Sequence, residues 1–276
     1  YALFFSIIKL PSSRILMAKE TLMLDYSLLD QPHLLRMLFY PRRDCTSPPA
    51  GAFDFGVAVE ERVTINCRFF VGQPAWPWLI YFHGNGEVAS DYDGIAPFYH
   101  QASLNLVVAD YRGYGSSGGS PTFSHLIHDA HILFKDLSNK IKAINPAATV
   151  FLMGRSLGST SVLELARHYQ SLISGLIIES GFASPTRLIQ LFGIPVPGVD
   201  LQNLENNILK AISSIRCATL VIHGARDSLV PLAEGELVFN TVAAANKYFT
   251  LIPFADHNDI IFADPPYGLG WGEEFP

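Results

Sequence analysis

Three residues far apart in this chain have the types that nucleophilic catalysis needs: Ser156, Asp227 and His257. A serine hydroxyl is a weak nucleophile near neutral pH and requires a base to take its proton. An imidazole can be that base if an acid holds its tautomer and supports its charged form. Ser156 sits in Gly154-Arg155-Ser156-Leu157-Gly158, His257 in Asp256-His257-Asn258 and Asp227 in His223-Gly224-Ala225-Arg226-Asp227. A fourth part, donors for a developing oxyanion, is available in His83-Gly84-Asn85-Gly86-Glu87. The two glycines around Asn85 let its backbone amide approach a substrate, and the expected second donor is the amide of Leu157. Gly84, Gly86 and Arg155 are the residues expected to face substrate, with a structural ion pair as the other role for Arg155.

Each of these residues follows an apolar run, which says what must position it. Ala148 to Met153 reads as a buried strand, and Val162, Leu163, Leu165, Ala166 and Tyr169 recur at helical spacing behind it. A serine between them occupies a sharp strand-to-helix turn, where only glycine neighbours leave room. Further strands are expected at Trp78–Phe82, Leu106–Asp110, Gly175–Glu179, Thr219–His223 and Tyr248–Ile252, alternating with helices near 92–103, 124–144 and 233–244. Ser124 is the expected N-cap of the long middle helix. An antiparallel pair at Phe53–Val59 and Val63–Phe70 precedes them. The pattern predicts an α/β fold: a mostly parallel, eight-stranded-type sheet with helices on both faces and its site at the carboxyl ends of the strands. One domain over 1–276 is expected, with an N-terminal extension over 1–50 and a small cap or rim insertion over 185–215. One or two short helices are expected from about Ser12 to Leu38.

The order Ser, Asp, His, each just past a strand, makes the chain resemble the α/β-hydrolase superfamily. It is most similar to small serine hydrolases carrying His-Gly-Asn, Asp-Tyr-Arg-Gly-Tyr-Gly, Gly-Arg-Ser-Leu-Gly and His-Gly-x-x-Asp in that order. Here these are His83–Asn85, Asp110–Gly115, Gly154–Gly158 and His223–Asp227, within a match from about Tyr40 to Phe262. The resemblance implies an esterase or thioesterase working through an acyl-enzyme, with no cofactor and no metal. A peptidase on the same fold, or a non-catalytic binding protein, are the alternatives. Two stretches depart from the pattern. The helix expected after His257 is cut short by Asp264-Pro265-Pro266, and the first forty residues match nothing in it.

The totals set outer limits. The chain has 276 residues, 49% of them hydrophobic and 16% charged, which suits a large core. A net charge of −6 argues against a nucleic-acid partner. Three scattered cysteines, Cys45, Cys67 and Cys217, suit free thiols in a reducing, cytoplasmic compartment. The apolar run Tyr1–Leu10 is too short to span a bilayer, although it could be the remnant of a signal sequence, and weak membrane association is left open. The expected partner is a small-molecule or acylated substrate, and oligomeric state is not readable.

Several residues compete for roles. Glu179 ends its own strand and is the rival acid. His83 and His223 are expected to order loops, and Asp256 and Asp259 to cap the loop around His257. Arg112 is expected on a carboxylate or backbone. His125, His128 and His131 share a helix, with a solvated face favoured over a metal site. Leu188 to Val199 is expected to form an apolar wall, and Trp76, Trp78 and Phe82 to be core.

Overall fold

The computed structural model describes residues 24–263. The expectations for Tyr1–Leu10, for helix before residue 24 and for the tail from Asp264 lie outside the described residues. Strands β1 (Ala52–Glu60), β2 (Val63–Phe70), β3 (Trp78–Phe82), β4 (Asn105–Ala109), β5 (Val150–Arg155), β6 (Gly175–Glu179), β7 (Thr219–Gly224) and β8 (Lys247–Ile252) form one sheet. Its order is β1-β2-β4-β3-β5-β6-β7-β8. β2 runs antiparallel to β1 and β4, and every other pairing is parallel.

Strands β3 to β7 are buried at every residue, which is why they read as unbroken apolar runs instead of alternating ones. Ile80, Phe82, Leu152 and Ile178 face one core, and Leu79, Tyr81, Met153 and Ile177 face the other. The connecting helices are α1 (Pro32–Leu38), α2 (Ala96–Gln101), α3 (Phe123–Ile144), α4 (Gly158–Tyr169), α5 (Pro185–Leu191), α6 (Leu201–Ile212), α7 (Leu232–Thr241) and α8 (Ile260–Ala263). The chain passes from β3 to β4 on one side, then returns to β5 on the other side of β3. The loops after β3 and β5 therefore emerge side by side, with Phe82 paired to Gly154. This is the switch point at which open α/β sheets place ligands.

Three local expectations shift. The N-cap of α3 is Thr122, not Ser124: Thr122 is extended and its hydroxyl accepts the His125 amide at 3.0 Å. Ser124 lies in the first turn, where its amide and that of Phe123 donate to Asp30. The helix expected over 92–103 is a 3-10 turn (Ala89–Asp93) followed by α2, which starts with Pro97 in its first turn. Trp76 is only half-buried, lying over Gly72, whereas Trp78 and Phe82 are core. The 185–215 segment folds as α5 and α6, tied together by Arg187, which donates to Glu205 and Glu234.

Candidate active site

Ser156 occupies the turn between β5 and α4 with φ at 50°, a left-handed conformation that costs a non-glycine residue energy. Packing enforces it. A Cβ on Gly154 would lie 2.5 Å from the Gly158 carbonyl oxygen, and one on Gly158 would collide with the Phe82 carbonyl. Both glycines are there because backbone from β3, β5 and α4 converges on the elbow. The Ser156 amide donates to the Glu179 carbonyl at 3.0 Å, fixing the turn to β6.

The hydroxyl of Ser156 lies 3.1 Å from His257 Nε2, and His257 Nδ1 lies 2.8 Å from Asp227 Oδ2. The carboxylate selects the tautomer with its proton on Nδ1, leaving Nε2 to accept from the serine. The other oxygen of Asp227 accepts the amides of Leu229 and Val230 at 3.0 and 2.7 Å. Burial alone would raise the Asp227 pKa. The imidazole and the Val230 amide outweigh it and hold the carboxyl below its ordinary value. Ser156 and His257 are 7% and 3% exposed. The structure thus brings the three residues named from sequence into one hydrogen-bonded line.

The turn after β3, where the sequence leads one to expect an oxyanion donor, is built differently from a bare glycine loop. The Asn85 side chain accepts the Tyr40 amide at 3.0 Å and the Tyr114 hydroxyl at 2.6 Å, and donates to the Leu38 carbonyl at 2.8 Å. The amides of Asn85 and Leu157 donate to no other backbone group outside regular elements among the described residues. Gly84 and Gly86 are not among the residues that line the cavity beside Ser156. Gly84 leaves room for a guanidinium, since a Cβ there would sit 2.6 Å from Arg155 Nη1, and Gly86 takes φ of 81°.

Arg155 does border the cavity, but its donors go to protein. Nη1 pairs with Glu87, Nη2 donates to the His257 carbonyl and to Asn258 Oδ1, and Nε lies 3.4 Å from Glu179. Burial disfavours its charge, but Glu87, Tyr81 and Glu179 hold its pKa above the ordinary value. Burial also works against the Glu87 charge, and Arg155, His83, the Gly84 amide and the Tyr92 hydroxyl together hold its pKa below the ordinary value. The ion-pair role is therefore the one the structure displays. Glu179 is accounted for by this pairing rather than by the imidazole.

The Ser156 hydroxyl opens onto a cavity of about 460 Å³. One wall comes from the 185–215 segment through Leu188, Phe192 and Ile194, as the apolar reading of that stretch expects. Met37, Leu38 and Tyr40 from the N-terminal segment also line the cavity, with Phe123 at the start of α3, and no sequence motif marks them. A weak signal existed in the apolar spacing of Leu34, Met37 and Leu38 along α1, but nothing marked it as part of a site.

Other candidates resolve into structure. His83 bonds Asp110 and the Gly84 carbonyl, and His223 bonds the Val230 carbonyl. Asp256 accepts the amides of Ser228 and His257, and its own amide donates to Asp259. Arg112 forks onto Asp129. His125 lies 4.0 Å from Glu60 and His128 3.2 Å from Asp129, and among the described residues His131 gathers with Glu164 and His168 on α4, where Arg167 already forks onto Glu164.

The sheet order, the elbow and the Ser-His-Asp relay define the α/β-hydrolase fold. Residues 74–194 match a family model described as serine aminopeptidase, S33. The chain is 29% identical over 193 residues to the protein bem46 of Schizosaccharomyces pombe, covering 68% of this chain and 64% of that one. It is 28% identical to the uncharacterized protein YfhR of Escherichia coli, covering 66% and 63%. Thus the chain spans a little under two thirds of these relatives. Among solved structures, the esterase Pf2001 of Pyrococcus furiosus superposes with a TM-score of 0.65 at 18% identity, covering 83% of this chain and 94% of that one. This chain has the α/β-hydrolase fold, and it is similar to members of that superfamily.

Proposed function

We propose that this protein is a serine hydrolase that cleaves carboxylic esters or thioesters. The observation that carries the reading is the Ser156–His257–Asp227 relay opening onto a cavity bordered mainly by apolar side chains. Ser156 Oγ attacks the carbonyl carbon while Nε2 of His257 takes its proton. The tetrahedral oxyanion lies toward the amides of Asn85 and Leu157, and each such donor is worth roughly a hundredfold to a thousandfold in rate. His257 returns the proton to the departing alcohol or thiol, then acts as base for the water that clears the acyl group. Pf2001 is named an esterase, which supports the same reading.

A peptidase reading is favoured by the description of the matching family model. An aminopeptidase must receive the α-ammonium of its substrate, and a carboxylate is the natural acceptor. No Asp or Glu lines the cavity among the described residues, which supports the ester reading over this one.

Labelling with a fluorophosphonate probe tests the chemistry. Wild type is expected to react and to hydrolyse p-nitrophenyl esters, whereas Ser156→Ala does neither and His257→Ala loses turnover. Equal labelling of wild type and Ser156→Ala would sink the proposal. Release of p-nitroaniline from amino-acid anilides, without ester turnover, would favour the peptidase.

A further inference from the structure

The N-terminal segment covers the cavity yet lies outside the stretch matched by the family model. It is fastened at both ends. Asp30 accepts two amides at the start of α3, Gln31 donates to the Pro197 carbonyl, and His33 lies 2.8 Å from the Pro195 carbonyl. Farther on, the Leu38 carbonyl and Tyr40 amide are bonded by Asn85. The segment is therefore a strap running from the cap to the oxyanion turn, with Leu29 and Leu34 fully buried beneath it.

We propose that this strap is the wall that selects the acyl group, and that the substrate is an ester or thioester of a single medium-length, straight acyl chain. This rests on the hydrolase reading above. The direction follows from the chemistry. The leaving group must meet the proton on His257 Nε2, on the side where Leu229, Val230 and Asn258 border the cavity. The acyl chain then runs the other way, beneath Leu38, which is bonded to the oxyanion turn. There it lies between the strap and Ile194 of the cap. That path presents no unpaired charge, because the donors of Arg155 are taken by protein. It ends between Met37 and Phe192, which line the cavity while 51% and 46% exposed. Methylenes up to that point leave water, and further ones gain little. Because the strap is anchored on both sides, the limit is set by a fixed wall.

The test is kcat/KM over p-nitrophenyl esters from acetate to palmitate, with fluorophosphonate labelling of each variant to show that its site is intact. Wild type is expected to gain up to about fourfold per added methylene while the chain is being buried, with an optimum near octanoate. Met37→Trp moves the optimum to a shorter chain and Met37→Ala to a longer one. Leu172→Ala, exposed and away from the cavity, leaves the profile unchanged. If wild type is labelled at Ser156 but prefers acetate, or if its optimum does not move in either Met37 variant, the strap proposal is overturned and the hydrolase reading stands. If wild type is not labelled and turns over no ester, the hydrolase reading falls and the strap proposal with it.

Discussion

His257 is held on every side: Asp227 at Nδ1, Ser156 at Nε2, Asp256 at its amide and Arg155 at its carbonyl. Replacing Asp227 by Asn keeps the shape but offers an amide where Nδ1–H needs an anion. Turnover should fall by about a thousandfold to ten-thousandfold, measured as kcat on a short ester. The same carboxylate links stability to pH. Its folded pKa is depressed, so its contribution is present above the unfolded value and lost as pH falls through the folded one. The melting-temperature gap between wild type and Asp227→Asn should therefore be widest near neutrality and close on acidification below the ordinary carboxylate range. A gap constant with pH would contradict the linkage. Arg155 makes a different prediction. Arg155→Met strands Glu87 and Glu179 without their cation, at a cost of about 3–5 kcal/mol. That lowers the melting temperature by roughly 10 °C. Lysine should not restore it, since its single ammonium cannot reach four acceptors at once.

At the scale of elements, the β5–α4 elbow is the least forgiving part of the molecule. Gly158→Ala presses a methyl into the Phe82 carbonyl, and neither backbone can yield without moving β3 or α4. Fluorophosphonate labelling should drop by orders of magnitude. Gly193 in the cap has φ of 63° with nothing near its missing Cβ. Gly193→Ala should cost only about 1–2 kcal/mol by thermal denaturation and leave the labelling rate unchanged. The elements around the elbow were readable in the residues because strands buried on both faces become short apolar runs, and Trp78–Phe82 and Gly175–Glu179 match such runs end to end. That Ser156, Asp227 and His257 meet was readable because the roles proposed for them need particular side chains. The strap was not, because Leu38 and Tyr40 attach through backbone groups, which any residue type supplies. Thr122 is the cap where the sequence predicts Ser124, and Asp30, ninety-odd residues upstream, accepts the next two amides, a contact that local patterning does not carry.

Across the whole molecule, the proposed nucleophile and base differ in their support. Ser156 rises from β5, in the interior of the sheet, whereas His257 follows β8, which is the edge strand. Tyr248 and Leu251 of β8 are more than two-fifths exposed, while β3 and β5 are buried throughout. Edge elements with few buried contacts open locally at lower free energy than central ones. Amide hydrogen exchange should thus be faster in β8 than in β5, and equal protection would contradict this. The Arg155 guanidinium counters the weakness by tying the His257 loop back to β5. Moderate heating should consequently silence the protein while its circular dichroism is still that of a folded chain, and cooling should bring activity back. Shelf life as a catalyst would then be governed by one strand at the margin, and reinforcing that margin would prolong working life more than any improvement to the already dense interior.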